Sequence, residues 1–293
     1  MSLRIISPYS SEPLPWLQGN LHTHTTNSDG EESPQATVDA YAALGHDFLM
    51  ISDHDCFTDP ETIDDKGMAL IPGVEVSQAG PHVLTVGSKT AIFPCPDRQR
   101  VVNEGTHASG FAVFCHPNWE EHFNHCPQEQ LERVSDYAGI EIVNAICCLL
   151  PGSGLALDKW DRLLGQGRRI WGFANDDAHW AGTRGWAWNA VQCEHRDPKS
   201  IIAALKSGRF YATTGVRIDS IRLDDSTVHI ESPDAQRIIA YGDYQRTLGQ
   251  ADGSRMRFCV SPEASYHYVR FECWGAGGRA AWTQPFFIER TGC

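Results

Sequence analysis

Apolar runs that stop at a histidine or a carboxylate recur along the first two-thirds of this 293-residue chain, and this repetition constrains the fold more than any other feature. The segment GNLHTHTTNSDG, Gly19 to Gly30, closes a short apolar run with His22 and His24. DFLMISDHD ends in Asp53, His54 and Asp55, and ALIPGVEVS carries Glu75 near its end. HVLTVG begins with His82, FAVFCHPN ends in His116, and RIWGFANDDAH ends in Asp176, Asp177 and His179. Helix-like segments alternate with these runs. Ser33-Pro34 is placed as an N-cap and first helical residue for PQATVDAYAALG. PQEQLERVSDYA, LALDKWDRLLGQG and DPKSIIAALKSG also read as helices. Such β-then-α alternation argues for parallel strands with helices packed outside, closed as a barrel or open as a sheet.

The polar strand ends point to chemistry. Charged groups are costly to bury unless paired or bound to metal, and α/β barrels carry their active sites where the strands finish. Alternate residues of an extended chain share a face, so His22 and His24 aim two imidazoles at one point. Imidazole suits zinc, iron and other transition metals. Asp29, in the turn-like Asn-Ser-Asp-Gly that follows, offers an oxygen ligand. Six histidines fall at such places: His22, His24, His54, His82, His116 and His179. His46, His122, His195, His229 and His267 lie in helix-like or late segments, and His107 just precedes the FAVFCHP run. Arg184, just after NDDAH, is placed to grip an anionic group. Asn118 and Asn144, at strand ends, are candidates for touching substrate.

Composition narrows the function classes. A net charge of -13 with no Lys/Arg run excludes a double-stranded nucleic-acid binder. The first ten residues lack the apolar core of a signal peptide, and no stretch is long enough to span a bilayer. Ten cysteines are scattered without a C-x-x-C pair, which reads as reduced thiols in a cytoplasmic protein. Cys115, within FAVFCHP, reads as core packing. From about Thr214 the texture changes to short strand-like runs with turn residues between them: GRFYATTGVRIDSIRL, TVHIES, RIIAYGDY, RMRFCVS, YHYVRFECWG and FFIER. This predicts an antiparallel β-sandwich with few candidate ligands. The expected domains are 1–212 and 213–293.

Taken in order, GNLHTHTTNSDG, ISDHD, GVEV, the later His-Val-Leu, FCHP and NDDAH resemble the PHP (polymerase and histidinol phosphatase) superfamily. GRFYATTGV followed by a sandwich ending in WTQPFF is similar, more narrowly, to its CehA/McbA-type branch. The resemblance covers nearly the whole chain. It implies a distorted (β/α)7 barrel, two or three divalent metal ions (zinc, manganese or iron) and hydrolytic, most often phosphoesterase, activity. By resemblance, one ion is held by His22, His24, Glu75 and Asp177. Glu75 bridges to a second, completed by His82 and His116. A third uses Asp29, His54 and His179, with Asp29 standing where other members carry histidine. Asp53, Asp55 and Asp176 are then candidates for orienting ligand imidazoles.

The implied chemistry needs no protein nucleophile, since divalent ions acidify a water and polarise phosphoryl oxygens. No G-x-S-x-G elbow is present. Glu75, Asp177 and His179 are the expected catalytic residues, and His179, Asp55 or a metal-bound water is the general acid. The expected substrate is a small phosphorylated molecule. A metal-dependent carboxylic or carbamate ester hydrolase is the alternative, and a non-catalytic metal-binding or carbohydrate-binding protein a third reading. The sequence assigns neither the native metal nor an oligomeric state.

Overall fold

The computed structural model describes residues 2–107 and 110–291. It is a mixed α/β structure with three sheets and five α-helices among the described residues. A five-stranded sheet runs in the order Gly73–Val76, Val83–Val86, Phe111–Phe114, Gly139–Asn144, Trp171–Asn175. Facing it is one flank of an eleven-stranded sheet: Trp188–Gln192, Trp16–Asn20, Phe48–Leu49 and Ala69–Leu70. Leu17, Phe48, Met50, Leu84, Phe111, Val113 and Phe173 fill the space between them. Gly19 is needed there, because a Cβ would lie 2.3 Å from the Phe48 carbonyl.

No sheet closes into a barrel, so the (β/α)7 expectation reduces to an α/β fold with two facing sheets. The strands are also not all parallel. Val83–Val86 runs antiparallel to both neighbours, and Trp188–Gln192 is antiparallel to Trp16–Asn20 and to Phe210–Thr213. The reason is chain length. Only Ser77 to His82 separate Val76 from Val83, too few for a parallel crossover, which takes a dozen residues or more. ALIPGVEVS is likewise not one strand. It breaks at Pro72 into Ala69–Leu70 and Gly73–Val76, which join different sheets.

Helix Pro34–Ala43 forms as its sequence dictates, with Ser33 Oγ accepting from the Ala36 N–H at 3.3 Å. The helix expected over PQEQLERVSDYA spans only Gln128–Arg133. Asp136 takes a left-handed φ of 63°, and the Ser135 N–H donates to Gln99 Oε1 (2.8 Å), so the backbone leaves the helix there. No helix among the described residues is long and apolar enough to cross a membrane.

Toward the C-terminus, the three-stranded sheet of Ser220–Asp224, Thr227–Glu231 and Arg255–Cys259 packs on the far flank of the large sheet. Ile221, Val228, Ile230 and Met256 meet Ile238, Phe271 and Phe286. Hydrogen bonding runs through residue 212: Phe210–Thr213 pairs with Ala280–Thr283 on one side and Trp188–Gln192 on the other. The first strand, Ser2–Ile6, pairs with Phe286–Thr291.

Candidate metal centre

The strand ends bring the polar residues together. Beyond Asn20 the chain bends at Leu21, and Thr23 then pairs in parallel with Ala178. The His24 N–H donates to the Ala178 carbonyl and the Asp177 N–H to the His22 carbonyl, each at 2.9 Å. His22 and His24 therefore project from a backbone fixed to the segment carrying Asp177. A second parallel bridge joins His54 to Glu75. His82 opens its strand where the others close theirs. Because that strand is reversed, its start lies at the same end as their finishes. His116 and Asp177 have φ of 28° and 54°, left-handed values that side chains adopt only where surrounding structure enforces them.

His22 Nε2 and His24 Nε2 each lie 3.1 Å from Asp177 Oδ1, and 3.1 and 3.2 Å from Glu75 Oε2. Donors held about 2.0–2.2 Å from one tetrahedral zinc stand roughly 3.3 Å apart. These are the spacings of ligands around a common ion. All four residues are buried, and His22 Nε2 and Glu75 Oε2 have no hydrogen-bond partner among the described residues. Orphaned buried polar atoms are rare and call for an explanation. A cation between them supplies one, and the donor set fits a divalent transition metal.

The two oxygens of Glu75 divide. Oε2 faces His22, His24 and His54 Nδ1 (2.9 Å), whereas Oε1 faces His82 Nδ1 (2.9 Å) and His116 Nε2 (3.4 Å). On the solvent side, Asp29 Oδ2 lies 3.5 Å from His54 Nε2 and 3.4 Å from His179 Nε2. His179 Nδ1 sits 2.9 Å from the Asp177 carbonyl, which can only accept, so Nδ1 carries a proton and Nε2 faces Asp29. Asp29 is 54% exposed and Glu75 1% exposed, so the cluster grades from a sealed interior to an open mouth.

Electrostatics follow from this crowding. Burial opposes charge on His22, but Asp177, Glu75 and Glu141 outweigh it and raise the ring well above the ordinary histidine range. Burial likewise lowers His54, while the adjacent Glu75 carboxylate, then Asp29, carry it up to about 9. Burial raises the carboxyls, yet the imidazoles dominate. Glu75 and Asp177 are held well below the usual range, and Asp29 falls to about 2 through His179, His54 and His24.

Glu141, which the sequence reading passed over, orients the cluster. Its Oε1 accepts from His22 Nδ1 and Asn175 Nδ2, and its Oε2 from the His116 N–H and Asn144 Nδ2, all at 2.8 Å. That leaves His22 Nε2 bare and aimed inward, the usual carboxylate–histidine arrangement behind a metal. A glutamate in the middle of the apolar run GIEIVN was the available signal. Asp53, Asp55 and Asp176, expected to orient imidazoles, instead hold backbone and hydroxyl groups. Asp53 takes Thr25, Ser28 and Thr58. Asp55 takes Ser77 and the Gln78 N–H. Asp176 takes Tyr41 and the N–H groups of residues 185–187.

Asn144 also donates to Asp177 Oδ2 (3.1 Å), whereas Asn118 donates to Leu155 O and Asp158. Arg184 is ion-paired with Glu32 at 2.7 Å. Cys115 reaches the cluster, but burial, then the charges of Glu75 and Glu141, raise its thiol far above the ordinary range, which keeps it protonated and in the core. His125 stands beside His82 and His116 although nothing in its sequence neighbourhood marks it, and His107 is exposed.

No family model and no curated protein matches this sequence. Solved structures do. One is a two-domain protein from Bacteroides vulgatus ATCC 8482 containing a predicted PHP-like metal-dependent phosphoesterase. It matches with a TM-score of 0.58 at 16% identity, over 93% of this chain and 94% of that one. The likeness is one of fold, and it extends across both parts of the chain. PsfC from Pseudomonas syringae PB-5123 matches with a TM-score of 0.46, at 16% identity over 67% and 90% of the two chains. An amidohydrolase from Chromobacterium violaceum matches with a TM-score of 0.43, at 14% identity over 56% and 88%.

Proposed function

We propose that this protein is a metal-dependent hydrolase of the PHP type, acting as a phosphoesterase on a small phosphorylated molecule. The observation that carries the reading is the convergence of His22, His24, Glu75 and Asp177 at ligand spacing, with buried atoms that have no hydrogen-bond partner among the described residues. The shared fold with a protein containing a predicted PHP-like metal-dependent phosphoesterase supports it. We place this protein in the CehA/McbA-type branch, with zinc, manganese or iron as its metal and a cytoplasmic setting.

In this reading His22, His24, Glu75 and Asp177 hold one ion. Glu75 with His82 and His116 would hold a second, and Asp29, His54 and His179 a third at the open mouth. Bound divalent ions supply Lewis acidity and an acidified water. The chain's own residues do the rest. Glu141 fixes the His22 ring, and Asn144 fixes the Asp177 carboxylate. Asp55 is fully engaged by Ser77 and Gln78, which leaves as the proposed general acid either His179, while the third position is unfilled, or a metal-bound water. For a phosphorylated substrate, Arg184 exchanges Glu32 for phosphoryl oxygens.

The Arg184–Glu32 pair also favours a second reading, hydrolysis of an uncharged carboxylic or carbamate ester. Among the described residues no Arg or Lys lies within ion-pair distance of Glu75, Asp177 or Asp29. The deciding experiment is a panel of phosphate monoesters, phosphate diesters and carboxylic esters with added Mn²⁺ or Zn²⁺. Phosphate turnover supports the first reading, ester turnover alone replaces it with the second, and turnover of neither removes both.

A further inference from the structure

The loop from His116 to Cys126 is held more firmly than its exposed sequence requires. Glu120 and Phe123 adopt left-handed φ of 74° and 54°, strained conformations that persist only where neighbouring contacts enforce them. Lys159, 5% exposed, binds the loop from below: its ammonium donates to the carbonyls of Pro117 (2.9 Å) and Cys126 (2.6 Å) and to Asn124 Oδ1 (3.1 Å). Above, the His82 backbone N–H donates to His125 Nε2 at 3.1 Å, and His125 Nδ1 lies 2.9 Å from Glu120 Oε1. A backbone N–H can only donate, so His125 Nε2 carries a lone pair. The ring proton then sits on Nδ1 and is donated to Glu120. The His125 ring meets His82 edge-on, centroids 4.6 Å apart, and lies 4.8 Å from His116. His82 and His116 are the two imidazoles facing Glu75 Oε1.

We infer that Glu120 and His125 form a positioning dyad for the second metal position. Glu120 sets the His125 tautomer, and His125 anchors the His82 backbone and thereby the His82 ring. The dyad is outside the ligand set, since both His125 nitrogens are engaged. The inference rests on the metal-centre reading, and its test separates the two.

Zn²⁺ titration against a competing chromogenic chelator reads the stepwise affinities. His125→Ala is expected to leave the tightest ion unchanged and weaken a second by about 10–100-fold, the usual effect of removing a group behind a metal ligand. His125→Gln restores most of that loss, because its Oε1 can accept from the His82 N–H. Glu120→Ala, at a 56% exposed side chain where misfolding is not at issue, weakens the second ion by several-fold. Titration of His125→Ala indistinguishable from wild type, or His125→Gln no better than Ala, overturns the dyad. Amide exchange in the metal-free protein gives a reading independent of zinc. The His82 N–H is slow in wild type and faster by about tenfold or more in His125→Ala, and equal rates overturn the dyad. If wild type binds no zinc, the metal-centre reading fails, while the amide rates still decide whether the dyad exists.

Discussion

The cluster around Arg270 and the cluster around Glu75 are both buried and both built from charged groups, yet their polar atoms are satisfied in opposite ways. Arg270, between helix Leu157–Gly165 and strand Tyr268–Gly275, donates Nε and Nη2 to Asp161 (2.9 and 2.6 Å) and Nη1 to Glu272 (2.7 Å). Tyr268 completes Asp161 and Trp274 completes Glu272, so each of these side chains is matched within the protein. Around Glu75 and Asp177, six imidazoles crowd two carboxylates, and Glu75 Oε2, His22 Nε2, His24 Nδ1, His54 Nδ1 and His116 Nδ1 have no hydrogen-bond partner among the described residues. A closed network of charges ties a helix to a sheet. An incomplete one, made of metal-binding side chains at ligand spacing, is a place for something else.

Substitutions should separate the two clusters cleanly. Glu75→Ala removes the carboxylate shared by both sides of the site. Turnover should fall by several orders of magnitude and metal content should drop, while circular dichroism stays native; wild-type turnover would remove Glu75 from the centre. Asp161→Ala leaves Arg270 buried without its main partner. It should destabilise the fold by about 3–5 kcal/mol in denaturant titration, with metal stoichiometry unchanged in whatever fraction remains folded.

Smaller effects sharpen the contrast. Arg184→Ala should cost about 1.5–3 kcal/mol on a phosphate ester if a charge-assisted hydrogen bond is lost, roughly tenfold to a hundredfold in kcat/KM. It should be nearly silent on a neutral ester, and an unaffected phosphatase rate takes Arg184 out of the site. Glu141→Gln keeps the shape but weakens the hold on His22, and metal affinity should fall by about 10–100-fold. pH should act through His54. With its ring raised to about 9 in the metal-free protein, binding a cation must expel a proton below that pH. Apparent affinity should therefore climb about tenfold per pH unit per proton released between pH 6 and 9, then flatten. Affinity independent of pH across that window would show that neither His54 nor His22, whose ring is raised as well, gives up a proton to the ion.

Much of the site could be read from sequence because strand-end ligands follow local rules. An extended H-x-H must aim both rings to one side, and an apolar run that stops at Asp177 or His116 must place that residue at a strand tip. Glu141 and His125 escaped because their partners lie far away in the chain: Glu141 reaches His22 across 119 residues and His125 reaches His82 across 43. The fold was legible to the same extent. Ser33 and Pro34 start their helix as expected, since a cap is a contact over three residues. The reversal at Val83 and the union of Ser2–Ile6 with the last strand depend on pairing partners that no local pattern names. Strand Arg246–Asp252 is mostly polar and contains Gly249, so it lacks the apolar alternation that marked its neighbours; its place is set by pairing with Ala235–Gly242.

The central claim is that the unmatched atoms around Glu75 are matched by metal. Elemental analysis of protein purified without chelator, repeated after reconstitution with Zn²⁺ or Mn²⁺, tests it most directly. The account predicts about two or more transition-metal ions per folded chain, falling sharply in Glu75→Ala and unchanged per folded chain in Asp161→Ala. Less than about one ion per wild-type chain after reconstitution would contradict it.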